Sequence, residues 1–184
     1  MPSLRPSGLK LVSPLVLGLA VAAGIYVFGT SHAADYSGTG LFGRTAVDTL
    51  PLKSWLATAA AAVALFQLST ALWMYRKVPR APAPPRRLGR VHRLAGAALV
   101  LITLPVAYHC MFAYGIQTVD ARVAVHSLAG VFLYGALAAK LTVVRSKRLP
   151  GWALPLAGGS LLTGVAVLWY TSALWYFNGF SLPL

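Results

Sequence analysis

The sequence predicts an all-α fold, a polytopic membrane helix bundle of five transmembrane helices with the N-terminus inside and the C-terminus outside. Three observations carry that prediction. Hydrophobic residues make up 58% of the 184 positions and charged residues only 10%, with a mean hydropathy of +0.69, the composition of an integral membrane protein rather than a soluble domain. Five apolar stretches reach the ~20 residues that a helix needs to cross a hydrocarbon core. The basic residues gather in the loops on one side of the threaded chain.

The first span covers about residues 9–28. Arg5 and Lys10 precede it and small residues follow around 31–34, as in a signal peptide, but its apolar core exceeds the ~7–15 residues of such peptides. An uncleaved helix is expected. The second span covers about 54–75, the third 91–114, the fourth 123–144 and the fifth 152–177, and together they form a single membrane domain over 1–184. The stretch from Arg76 to Arg93 carries four prolines and seven basic residues, which resist packing and favour an extended, solvated connection. Its core, 76–90, is the predicted cytoplasmic loop.

Orientation follows from the 16 Lys and Arg residues. Arg5, Lys10, the 76–93 cluster and Arg145, Lys147 and Arg148 fall on one side, and Arg44, Lys53 and Arg122 on the other, with Lys140 able to snorkel to the basic side. The positive-inside rule makes the basic side cytoplasmic. The net charge of +13 is thereby assigned to topology and to anionic lipid headgroups. No nucleic-acid partner is expected, because the basic residues sit at membrane boundaries rather than among exposed stacking aromatics.

The three acidic residues, Asp35, Asp48 and Asp120, all fall in predicted outer segments. A proton or ion pathway built on intramembrane carboxylates therefore has no candidates. Cys110 is the single cysteine, so the chain forms no internal disulfide and has no Cys-x-x-Cys-His site for covalent haem attachment.

His109 and His126 are the candidate metal ligands. They flank a short polar turn between the third and fourth spans, and each is placed roughly 8 Å below the outer face at ~1.5 Å per residue, a depth where ionisable groups are rare and usually functional. Neutral imidazoles at matched depth can hold the iron of a haem b from both sides. Gly130, one turn beyond His126, and Phe112, on the face of His109, are the further candidate cofactor contacts, and Pro105 is expected to bend the third helix. The competing reading gives each ring a hydrogen bond to a neighbouring group and no metal, with Gly130 admitting a second helix. Two further histidines are weaker ligand candidates. His32 lies just beyond the first span, and His92 lies near the inner face, about 25 Å along the helix from His109. Gln67 reads as hydrogen-bonding glue between helices.

A short repeat, Val91-His92-Arg93-Leu94-Ala95-Gly96 and Val125-His126-Ser127-Leu128-Ala129-Gly130, opens the third and fourth helices. Because these run in opposite directions, it places His92 and His126 at opposite faces.

The segments GRVHRLAGAALVLITLPVAYHC, RVAVHSLAGVFLYGALAAK and LPGWALPLAGG resemble an uncharacterised family of actinobacterial multi-pass membrane proteins. The histidine-bearing helices are also similar to membrane b-type cytochromes and ferric-reductase-like transmembrane domains. That resemblance implies haem held between helices by histidine pairs, although only His109 and His126 form a pair here. No dinucleotide-binding glycine motif is present, so no complete active site is expected. A quinone or an iron–sulfur protein would exchange the electrons. The expected function is that of a cell-membrane electron-transfer subunit with one non-covalent haem b between the third and fourth helices. The alternative is a cofactor-free integral membrane anchor or assembly subunit.

Overall fold

The computed structural model describes residues 7–31, 40–146 and 149–182. Its long elements are α1 (Ser7–Ser31), α2 (Ala46–Met74), α3 (Leu88–His109), α4 (Ala121–Arg145) and α5 (Ala153–Trp169). α3 runs on through a π-helical turn, Cys110–Tyr114, and α5 through another, Tyr170–Leu174, into the last turn α6 (Trp175–Phe177). Five of these helical stretches are long and apolar enough to span a membrane, with mean hydropathies from 1.5 to 2.0.

Local chemistry accounts for the ends. α2 begins at Ala46, eight residues before the span that hydropathy marks out. Its cap explains the difference: Thr45 Oγ1 accepts from the Asp48 amide at 3.2 Å and donates to the Asp48 carboxylate at 2.7 Å. This pairing satisfies an orphan amide and sets an acid in the positive first turn. Asp120 caps α4 in the same way, accepting from the Val123 amide at 2.8 Å. The proline-rich connection after α2 is tied back by the Trp73 indole, which donates to the Pro82 carbonyl at 2.9 Å.

α1 packs on α4, α4 on α5, α5 on α2 and α2 on α3. The tightest crossing is between α1 and α4, where a Cβ built on Gly18 would stand 2.9 Å from the Gly135 carbonyl oxygen, and one on Gly135 would stand 2.8 Å from that of Gly18. Such close approach is available only to small residues and is a principal source of cohesion between helices in lipid. At mid-depth, Ala64 of α2, Leu133 of α4 and Val165 of α5 form the buried core, with Leu99 of α3 and Tyr134 of α4 packed against it. Leu101, Leu104 and Tyr108 of α3 and Leu15, Val16 and Leu19 of α1 are exposed, as lipid-facing positions should be.

α3 and α4 follow one another directly, yet they are not among the closely packed pairs. Tyr134 instead reaches across to Thr103 with a 3.3 Å hydrogen bond. At the end away from the basic loops, α1 partly covers this separation. Phe28 meets Phe112 edge-on, with ring centroids 5.2 Å apart, and the Gly29 carbonyl accepts from the Ile116 amide at 3.0 Å.

Candidate functional site

His109 and His126 lie toward the end of the bundle opposite the basic loops. His126 lies seven residues from Leu133 along α4 and His109 ten residues from Leu99 along α3, rises of about 10 and 15 Å from the same core cluster. The two imidazoles therefore lie within about one helical turn in depth. His109 is buried at 9% exposure and meets the Tyr114 ring edge-on, with centroids 5.5 Å apart.

His126 is held by a residue that sequence reading missed. Its Nδ1 lies 2.9 Å from Thr171 Oγ1 in the π turn of α5, and that threonine is only 1% exposed. A hydroxyl has one hydrogen, and that of Thr171 goes to the Val167 carbonyl at 2.7 Å. With that hydrogen on the carbonyl, its oxygen accepts from His126 in the Nδ1–H tautomer, the arrangement that leaves the Nε2 lone pair for another partner.

Two cations stand at this end of the bundle. Arg122 donates to the Thr171 carbonyl at 2.9 Å, and its guanidinium stacks 3.8 Å from the centre of the Trp175 ring. Lys53 Nζ lies 3.5 Å from Cys110 Sγ and 4.7 Å from the centre of the Tyr114 ring. Deeper in the bundle the Trp169 indole donates to Thr58 Oγ1 at 3.1 Å, joining α5 to α2.

The remaining candidates distribute differently. A Cβ on Gly130 would meet nothing within 4 Å, so this glycine marks open space one turn from His126 rather than a close helix crossing. Phe112 is 48% exposed and packs on Tyr108 and Phe28, toward α1. His32 lies outside the described residues. His92 stands at the basic end, where its Nδ1 is 2.7 Å from Thr70 Oγ1, while Gln67 Nε2 donates to the His92 carbonyl. Thr70 Oγ1 also lies 3.0 Å from the carbonyls of Phe66 and Gln67, the same arrangement of threonine, back-bonded carbonyl and imidazole as at His126. Among the described residues no three His, Cys, Asp or Glu side chains gather into a metal site.

A signal for both threonines exists in the sequence. Ser69-Thr70-Ala71-Leu72-Trp73 near the end of α2 and Thr171-Ser172-Ala173-Leu174-Trp175 at the end of α5 form a second approximate repeat, complementary to the two Val-His-x-Leu-Ala-Gly segments. Each histidine-bearing helix is paired with a helix ending in Ser/Thr-Ser/Thr-Ala-Leu-Trp.

These features define a five-helix polytopic membrane protein with two threonine-held histidines at opposite ends and a buried third, His109, at the end that holds His126. The chain belongs to a family described as Family of unknown function (DUF6529), which it matches over residues 11–184. No curated protein and no solved structure matches it.

Proposed function

We propose that this protein is an electron-transfer subunit of the cell membrane that carries one non-covalent b-type haem between α3 and α4 near the outer face, with His109 and His126 as axial ligands. The observation that carries the reading is the bond from His126 to Thr171, because it presents the Nε2 lone pair that a metal ligand needs and fixes the ring that bears it. Three features fit a porphyrin. α3 and α4 stand apart instead of interlocking, the Gly130 face is open, and Lys53 and Arg122 supply positive charge for a cofactor with two carboxylates.

Haem iron, when bound, supplies a one-electron couple whose potential responds to its ligands and surroundings. The protein residues do the rest. His109 and His126 fix the position, Thr171 holds the orientation of His126, and α1 shields one side from lipid. A quinone or an iron–sulfur protein would complete the electron path.

A second reading, that of a cofactor-free membrane anchor, is favoured by one observation: His92 makes the same threonine bond with no second histidine beside it. Visible spectra of the purified protein, oxidised and dithionite-reduced, separate the two. A cytochrome-like reduced spectrum that disappears in both His109→Ala and His126→Ala supports haem. Folded protein from haem-replete cells with no such absorption establishes the anchor.

A further inference from the structure

The basic end holds a charge that the protein does not neutralise. His92 lies seven residues from Leu99 along α3 and Lys140 seven residues from Leu133 along α4, and Leu99 and Leu133 belong to one core cluster. Seven residues are two helical turns, so both side chains stand on the core-facing sides of their helices, about 10 Å toward the basic end. On that count the two side chains reach the same depth at the basic end of the bundle. Both residues are half-buried.

None of the three acidic residues of the chain falls in the segments at this end. Among the described residues no hydrogen bond or ion pair engages the Lys140 ammonium. A half-buried charge is costly unless it is paired. The internal repeat sharpens the point. The position that stands to His126 as His109 stands to His92 is Val143, so this end lacks a second imidazole for a metal and offers a lysine instead.

We propose that Lys140 and His92, at the basic end between α4 and α3, bind the phosphate of an anionic ligand. Lys140 donates to a phosphate oxygen. The phosphate offsets the neighbouring positive charge, so that His92 takes up one proton from the bulk buffer at Nε2 and donates as well, its Nδ1–H bonded to Thr70. Gln67 braces the site by holding the His92 carbonyl. The other basic groups described at this end, those of the 76–93 stretch and Arg145, are exposed. They raise the local phosphate concentration without specifying the site. A phospholipid headgroup of the adjacent leaflet and free phosphate share this chemistry.

The test uses the full chain, delipidated in detergent, with bound lipid counted by native mass spectrometry and thermal unfolding followed in parallel. Phosphatidylglycerol is compared with diacylglycerol of the same chains and with inorganic phosphate. The wild type is expected to retain phosphatidylglycerol over diacylglycerol. Lys140→Met should weaken that retention about tenfold, as loss of a charge-assisted hydrogen bond implies, whereas Lys77→Met, which removes an equal charge from an exposed position on the same side, should change it by less than about twofold. Stabilisation by inorganic phosphate equal to that by phosphatidylglycerol, lost in Lys140→Met, identifies free phosphate as the ligand. Equal losses in Lys140→Met and Lys77→Met overturn the proposal, and so does a wild type that does not distinguish phosphatidylglycerol from diacylglycerol, a result that needs no variant to fold.

Discussion

Thr171→Val separates a ligand-positioning threonine from a helix-packing one. Valine keeps the shape of threonine and removes the hydroxyl that accepts from His126 Nδ1 at 2.9 Å. The direct cost to stability is modest, because hydrogen bonds between membrane helices average about 0.6 kcal/mol and reach about 1.7. If His126 ligates iron, a second cost appears only in the loaded protein. Loss of an outer-shell partner typically weakens metal binding about 10- to 100-fold, or roughly 1.4 to 2.7 kcal/mol. Thr70→Val supplies the matched control, since it breaks the equivalent 2.7 Å bond to His92 and the same kind of intrahelical back-bond, far from His109. Both variants should unfold at similar, slightly lowered temperatures in detergent. Haem transfer to excess apomyoglobin, followed by visible absorption, should be faster by at least about tenfold in Thr171→Val alone. Equal haem retention in the two variants, at equal stability, would refute the assignment of Thr171 as a positioning residue.

Other substitutions probe the surroundings. Gly135→Val forces a side chain against the Gly18 carbonyl and Ala22, and should destabilise the α1–α4 crossing by about 1–3 kcal/mol, seen as a lowered midpoint in thermal unfolding. Gly130→Leu enters open space and should leave the folded apoprotein as stable or up to ~1 kcal/mol more so, since a helical glycine is replaced. Its haem retention should fall about 5- to 150-fold, the equivalent of ~1–3 kcal/mol of overpacking. Lys53→Met removes a positive charge near His126 and should lower the haem midpoint potential in a redox titration. A unit charge at ~10 Å in an effective dielectric of ~20 is worth about 1.7 kcal/mol, which corresponds to roughly 70 mV for one electron.

The five spans were legible because hydropathy over ~20 residues is a property of segments and does not depend on which faces meet. The start of α2 was not. Its first turns lie beyond the apolar window and are specified by the Thr45–Asp48 cap, a signature that hydropathy overlooks. The end of the bundle that holds His109 and His126 could be counted along the chain, but the partner of His126 could not, because Thr171 lies 45 residues away on a helix whose rotation is set by packing. The role expected for Phe112 rested on helical spacing from His109. The structure turns that ring toward Phe28 and Tyr108, while the π turn beginning at Cys110 brings Tyr114 beside the imidazole. A π turn adds one residue to its turn and so shifts the spacing counted along an ideal α-helix.

That extra residue distinguishes the two ends of the bundle. When the repeats are aligned on Trp73 and Trp175, Ser172 stands opposite Thr70, yet Thr171 is the residue that holds a histidine. The π turn at Tyr170–Leu174 accounts for the one-residue offset, and Arg122 takes up the Thr171 carbonyl while stacking on Trp175. The second π turn begins immediately after His109. Among the described residues both wide turns fall at this end, whereas the Thr70–His92 bond is made between regular α-helices. A hydrogen bond needed only to join two helices forms at the basic end without any such adaptation. Departures from α geometry that gather at the end holding His109 and His126 follow the pattern of π turns found at functional sites, which supports the proposed reading of this end.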